Sequence, residues 1–277
     1  MLDRIRRLLG VTGIRRAMQA KLAGTVDEVL RHHQAEQTRY LEEQIHRLRD
    51  EVHRLTNRTV DRVNDLELRI RRDIVFAGEH NAASQASEFA REHMISAQHC
   101  KHPHETLEFG LSLAPEGGMA LEFGVFSGTT LKIISSARGG EQVYGFDSFQ
   151  GLPEDWRAGY PTGTFSVNGL PDVSGAELIV GLFDDTLPGF LDVHPGPVDF
   201  LHVDGDLYSS AKTVLDLVGP RLREGSVIVF DEFFNYPGWQ DHEYKAWREY
   251  VERTGVEFTY KAYTWDNEQV VVQITGL

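Results

Sequence analysis

The chain has 277 residues, 41% hydrophobic and 25% charged, which suits one packed α/β domain with an appendage and argues against a disordered or fibrous protein. Its net charge of −14 is unevenly spread: residues 1–75 hold 16 Lys+Arg against 12 Asp+Glu, and the remainder holds 12 against 30. An acidic C-terminal part argues against a nucleic-acid substrate and fits a neutral or sugar-like one, or a site that collects cations. The single cysteine, Cys100, excludes an intrachain disulfide and suits a reducing cytoplasm. No stretch approaches the length of a membrane span, and Asp3 and Arg4 interrupt the N-terminus too early for a secretory signal.

Residues 1–22 alternate Arg4, Arg6, Arg7, Arg15 and Arg16 with Leu2, Ile5, Leu8, Leu9 and Ile14, a short basic amphipathic segment of the kind that touches anionic lipid. Gly10 and Gly13 interrupt it, so membrane contact has weak support. From Thr25 to Ile74 there is no proline, and Leu41, Ile45, Leu48, Val52 and Leu55 recur at a 4-3-4-3 spacing. That spacing predicts a long helix with a coiled-coil seam, for self-association or for holding a partner. The phase slips after Leu55 and resumes at Val63, Leu66 and Ile70. Residues 1–78 therefore read as the basic segment and long helix, 79–117 as a helical cap and linker, and 118–277 as the catalytic domain.

From residue 118 short apolar runs alternate with helical stretches, the pattern of a parallel sheet with crossover helices. The runs are Met119–Phe123, Gln142–Phe146, Ala176–Leu182, Val198–Val203 and Ser226–Phe230. Thr129–Ser136 and Ser209–Leu222 are long enough for crossovers, and Glu257–Tyr263 with Gln269–Thr275 reads as a closing antiparallel hairpin. Five parallel strands and a terminal hairpin fit a Rossmann-like class I methyltransferase sheet better than the all-parallel sheet of dehydrogenases.

Three motifs bear on chemistry. Glu122-Phe-Gly-Val-Phe-Ser-Gly128 joins a strand to a helix, and its two glycines permit a sharp turn and close approach of a ligand. Asp147 ends the next strand, at a spacing from Gly124 suited to a ribose-binding carboxylate. Asp204-Gly-Asp206 and Asp231-Glu232 follow two further strands, so in a doubly wound sheet they converge at its carboxyl edge. Gathered carboxylates repel unless a cation or a shared proton compensates, and a hard ion such as Mg²⁺ is the natural one. His99, His102 and His104 resemble a soft-metal tract but lack a second ligand cluster. His202 reads as a hydrogen-bonded core residue, and His242 as a weak candidate for substrate contact.

In order along the chain, Tyr144-Gly-Phe-Asp-Ser-Phe-Gln-Gly-Leu-Pro153, Gly181-Leu-Phe-Asp-Asp-Thr-Leu-Pro188 and His202-Val-Asp-Gly-Asp-Leu-Tyr-Ser-Ser210 resemble the macrocin O-methyltransferase family, which methylates sugar hydroxyls of natural products. The resemblance covers residues 118–240. It implies S-adenosylmethionine as donor and a divalent metal, usually Mg²⁺. It places Glu122, Gly124, Val125, Phe126, Ser127 and Gly128 at the methionine part of the donor and Asp147 at the ribose. Ser148 and Phe149 would flank the adenosine, with Asp185 near the adenine. Asp204 becomes metal ligand and general base, with Asp231 and Glu232 completing the metal site. Glu232 departs from the aspartate common in the family. The aromatic run Phe233-Phe-Asn-Tyr-Pro-Gly-Trp239 stands where an acceptor should bind, and its rings would suit a glycan or packing. Two other readings compete: an NAD-linked oxidoreductase, and a coiled-coil scaffold carrying an inactive methyltransferase-like domain.

Overall fold

A computed structural model describes residues 2–277, with side chains described from Thr12 onward. The chain divides into two units, Met1–Asp73 and Ile74–Leu277. The division falls after Asp73 rather than at residue 78, and residues 79–117 belong to the second unit.

The first unit is one helix, α1 (Leu2–Arg72). Its length follows from the absence of proline and the abundance of Arg, Glu, Gln and Leu, all good helix formers. Gly10 and Gly13 lie within it, so neither ends the helix. The side chains of the basic segment through Val11 lie outside the described residues, and with them most of the proposed lipid-facing surface. No helix among the described residues is long and apolar enough to cross a membrane.

The second unit runs α2 (Ile74–His93), β1 (Gln98–Cys100), α3 (Pro103–Leu113), β2 (Met119–Phe123), α4 (Thr129–Ala137), β3 (Val143–Asp147), β4 (Glu177–Val180), α5 (Phe183–Val193), β5 (Val198–Val203), α6 (Tyr208–Val218), β6 (Leu222–Phe230), α7 (Glu243–Thr254), β7 (Glu257–Thr264) and β8 (Val270–Gly276). The sheet order is β1-β7-β8-β6-β5-β2-β3-β4. β4, β3, β2, β5 and β6 pair in parallel, while β8 is antiparallel to both β6 and β7. Thus the closing hairpin forms, with its second strand inserted between β6 and β7. The short β1 adds a parallel edge beside β7, which three residues with little apolar patterning did not announce.

Both faces of the sheet are covered, which is why β2 and β5 are buried along their whole length. Leu107 and Leu111 of α3 and Leu131 and Ile134 of α4 pack against Ala120, Phe200 and Val229 on one face. Residues of α5, α6 and α7, with Ala82 and Ala86 of α2, pack with Phe123, Leu201 and Phe230 on the other. The β3–β4 connection, residues 148–176, contains no helix or strand.

At the opposite edge from the carboxyl strand ends, Asp199 is fully buried and accepts from the Gly118 amide (2.5 Å) and from Arg223 Nε and Nη2 (2.7 and 2.8 Å). Arg138 Nη2 lies 3.8 Å from the same carboxylate with its side chain 9% exposed. Removing one partner of such a buried network strands the others. Asp199→Ala is therefore expected to destabilise the second unit by about 3–5 kcal/mol, read as a lowered urea midpoint with unchanged slope.

Candidate active site

The ladder hydrogen bonds continue one residue past three strands. Gly124 N donates to Phe146 O (2.9 Å), Asp204 N to Phe123 O (2.8 Å) and Asp231 N to Val203 O (2.8 Å). The first loop residues after β2, β5 and β6 are thereby held in register at one edge of the sheet. Gly124 has φ +99°, and a Cβ there would sit 1.7 Å from the Asp204 carbonyl oxygen, so only glycine permits this approach. Gly128, at φ +76°, is the left-handed N-cap of α4.

Asp147 fastens the turn from β3. Its Oδ2 accepts from the amides of Val125 (2.9 Å) and Phe126 (2.8 Å), and its Oδ1 from that of Phe149 (2.7 Å). Those three donors leave about one of the carboxylate's roughly four acceptor sites for a ligand hydroxyl. A cleft of about 530 Å³ opens above the strand ends. Of the expected residues, Gly124, Phe126, Asp147, Ser148, Asp204, Asp231 and Glu232 line it. Val125 and Phe149 are buried beside the turn, and Ser127 Oγ bonds Thr129 Oγ1 (3.0 Å) outside the cleft. Gly128 shapes the turn without lining the cleft. Asp185 is likewise off the wall. Its neighbours Leu182, Phe183 and Asp184 take that place, because α5 starts at Phe183 and turns consecutive residues to different sides. Asp206, at φ +60°, and Glu154 also line the cleft.

The floor is acidic. His202, Asp204 and Asp231 each offer a ligand atom, all within 4.8 Å of one another. His202 was expected to be a bonded core residue. It is buried and bonded, yet it also joins this cluster. Its Nδ1 lies 2.9 Å from Glu122 Oε1 and its Nε2 3.6 Å from Asp231 Oδ1. Glu122 is fully buried beneath the floor, where it orients His202 rather than lining the cleft. Glu232 falls outside the cluster of three, and its amide donates to Glu243 Oε2 (3.1 Å).

Burial drives the Asp204 carboxyl well above its usual range, and the neighbouring Asp231 charge adds to the shift. Burial, then Asp231, brings Asp206 up to about 7. Burial followed by repulsion from Asp231 raises Glu232 and Glu243 strongly as well. For His202, burial favours the neutral ring, but the nearby Asp231 carboxylate and its bond to Glu122 outweigh this and hold it well above the ordinary value. Burial also opposes the Asp231 charge, yet the nearby His202 ring keeps that carboxyl low. Glu122 Oε2, Glu232 Oε2 and Glu243 Oε1 are buried without a hydrogen-bond partner. A divalent cation would relieve the mutual repulsion of Asp204 and Asp231, and two carboxylates with an imidazole form a workable donor set.

The aromatic run after β6 does not face an acceptor. Phe233, Phe234, Tyr236 and Trp239 are buried, and Phe233 packs against Phe89, Tyr244 and Tyr260. The exposed rings on the cleft wall are Phe126 and Phe165, 47% and 38% exposed, with centroids 5.8 Å apart in an edge-to-face pair. Sequence reading missed Phe165, which lies in the β3–β4 connection where no periodicity marks it. Arg157 of the same connection bonds both carboxylate oxygens of Glu268 (3.0 and 3.1 Å) and lies 3.9 Å from the Trp156 ring centroid. Glu154 Oε1 accepts from Ser209 Oγ (2.6 Å), so the connection is fastened to α6 as well. His242 is half-buried against Trp156 and Tyr236 and does not line the cleft. His99 bonds Tyr263 Oη (2.8 Å), while His102 and His104 are exposed at the start of α3, and none of the three joins a metal-like cluster among the described residues.

Residues 121–233 match a family described as a methyltransferase domain. No protein of curated function matches the chain. Among solved structures, the calicheamicin methyltransferase CalS11 is similar at 23% identity and TM-score 0.50, over 60% of this chain and 75% of that one. The O-methyltransferase NovP shares 24% identity with a TM-score of 0.47, over 62% and 78%. An O-methyltransferase from Bacillus cereus, in complex with SAH, shares 16% with a TM-score of 0.42, over 77% and 97%. The second unit has the class I methyltransferase fold, and its residues 121–233 match a methyltransferase domain. The domain match and the antiparallel β8 inside the sheet both argue against the oxidoreductase reading.

Proposed function

We propose that the domain methylates a hydroxyl oxygen of a sugar or glycosylated acceptor, assisted by a divalent cation, Mg²⁺ in the first instance. The observation that carries this reading is the convergence of Asp204 and Asp231 on the floor of the cleft that Gly124 and Asp147 also line, with buried His202 beside them. The acceptor class comes from the order of the three motifs. The exposed faces of Phe126 and Phe165 suit the C–H surface of a pyranose.

When bound, the donor supplies an activated methyl group and the cation supplies Lewis acidity that makes the hydroxyl more acidic. Asp204, Asp231 and His202 would hold the cation. Asp147 and the Gly124 turn fix the donor's end of the cleft against the floor, which supplies positioning. A carboxylate oxygen of Asp204 receives the hydroxyl proton as the new C–O bond forms and the methyl–sulfur bond breaks.

Calorimetric titration with S-adenosylmethionine, with Mg²⁺ and then with excess chelator, tests the arrangement alongside release of demethylated donor from a panel of glycosides. Donor affinity is expected to differ by less than about threefold between the two conditions, while turnover falls on the order of 10²-fold or more in chelator. Absence of donor binding under both conditions would overturn the reading. Equal turnover in chelator would remove the cation from it.

A further inference from the structure

We infer that α1 pairs with the α1 of a second copy of this chain as a parallel two-stranded coiled coil over residues 41–70. The inference concerns the first unit alone and stands whether or not the catalytic reading holds.

Every apolar residue of the seam is exposed within the single chain. Leu41, Ile45, Leu48, Val52, Leu55, Val63, Leu66 and Ile70 each expose between 51% and 61% of their surface. A helix whose apolar stripe meets only water gains little from its length, so the stripe calls for a partner of the same period.

Which partner is written in the residue types. Taking Ile45 as position a of the heptad abcdefg, the a positions before the phase slip are Ile45 and Val52, and the d positions are Leu41, Leu48 and Leu55. Thr59 takes the next a position. Four residues later the frame restarts at Val63, and the same assignment recurs, with Val63 and Ile70 at a and Leu66 at d. Apart from Thr59 at the stutter itself, Ile or Val thus fills a and Leu fills d on both sides of it. This sorting favours two parallel strands, where a layers meet a and d layers meet d. In an antiparallel pair each layer would mix the two types and the sorting would serve nothing.

The flanking charges agree. In a parallel pair the g and e positions meet as Gln44 with Arg49, Glu51 with Thr56, and Arg62 with Glu67. None of these is a like-charge pair, and the last is an opposite-charge one. Ion pairs along α1, such as Arg31 with Asp27, are spaced i,i+4 on its own surface. The seam therefore specifies a copy of itself, with no need for a partner of different chemistry.

Mass measurement of the full chain by light scattering, with cysteine cross-linking, tests this. The expected mass is twice the 31.3 kDa of one chain. Val52→Cys at an a position should cross-link almost completely on mild oxidation, while Asp50→Cys, on the outer face, should not. The native Cys100 is buried and provides a silent background. Leu48→Asp with Leu55→Asp should return the chain to 31.3 kDa while circular dichroism shows the second unit folded. A monomeric wild-type chain, or one whose mass fits a trimer or tetramer, would overturn the inference. A dimer in which Val52→Cys fails to cross-link would overturn the parallel arrangement.

Discussion

Asp231→Asn is expected to lower turnover by on the order of 10²–10⁴-fold while S-adenosylmethionine still binds within about threefold of the parent chain. Asp231 sits where three demands meet. Its amide holds β6 to β5 through Val203 O, its carboxylate faces His202 Nε2, and it lies within ligand distance of Asp204. Asparagine preserves the shape and the backbone bond but removes the charge, so the fold should persist. Gly124 and Asp147, proposed to hold the donor, line the cleft and are left in place by the substitution. The cation should be lost with the charge: Mn²⁺, followed by the quenching of its free electron-spin signal, should bind the parent chain and bind the variant at least tenfold more weakly. Unchanged Mn²⁺ binding would show that the His202–Asp204–Asp231 cluster is not the cation site. Parallel loss of donor binding would show that the residue holds the cleft together.

How far this site could be read in advance depends on whether its parts are local or brought together by pairing. The Gly124 turn, Asp147, Asp204 and Asp231 each follow an apolar run, so finding the strands was enough to place them at one sheet edge. His202 could not be placed in this way. It lies inside β5 among apolar residues, and its role arises because the β2–β5 register sets it opposite Glu122 while Asp231 follows the neighbouring β6. No sequence interval encodes that register. Asp184 rather than Asp185, the residue the family resemblance implied, reaches the wall because of the phase of α5, which the motif Gly181–Pro188 does not mark. The rings of Phe233 and Trp239 looked available to a sugar because their burial partner, Phe89, lies in α2, outside the region whose pattern was legible. The sheet itself was readable because its buried strands are continuous apolar runs, and the closing hairpin because a turn separates two β-rich runs. The insertion of β8 between β6 and β7 is a matter of pairing and left no local mark.

Gly124→Ala is expected to be among the most damaging single substitutions in the chain, destabilising the second unit by roughly 4 kcal/mol or more. Two effects combine. At φ +99° an alanine occupies a region that L residues rarely adopt, a strain of about 1–3 kcal/mol. The added Cβ would also fall 1.7 Å from the Asp204 carbonyl oxygen and 2.7 Å from its carbonyl carbon. That neighbour is backbone, fixed from the other side by the Asp204 amide on Phe123 O, so no side chain can swing away to make room. Relief requires parting β2 from β5 at the point where the donor turn meets the acidic floor. Even a variant that folds should therefore lose donor binding and cation binding together, whereas Asp231→Asn separates them. Urea unfolding followed by tryptophan fluorescence measures the first effect, and the two titrations on whatever fraction is folded measure the second. A Gly124→Ala chain with the parent's unfolding midpoint and donor affinity would mean that the close approach of Gly124 to Asp204, on which the geometry of the whole cleft rests, does not exist in solution.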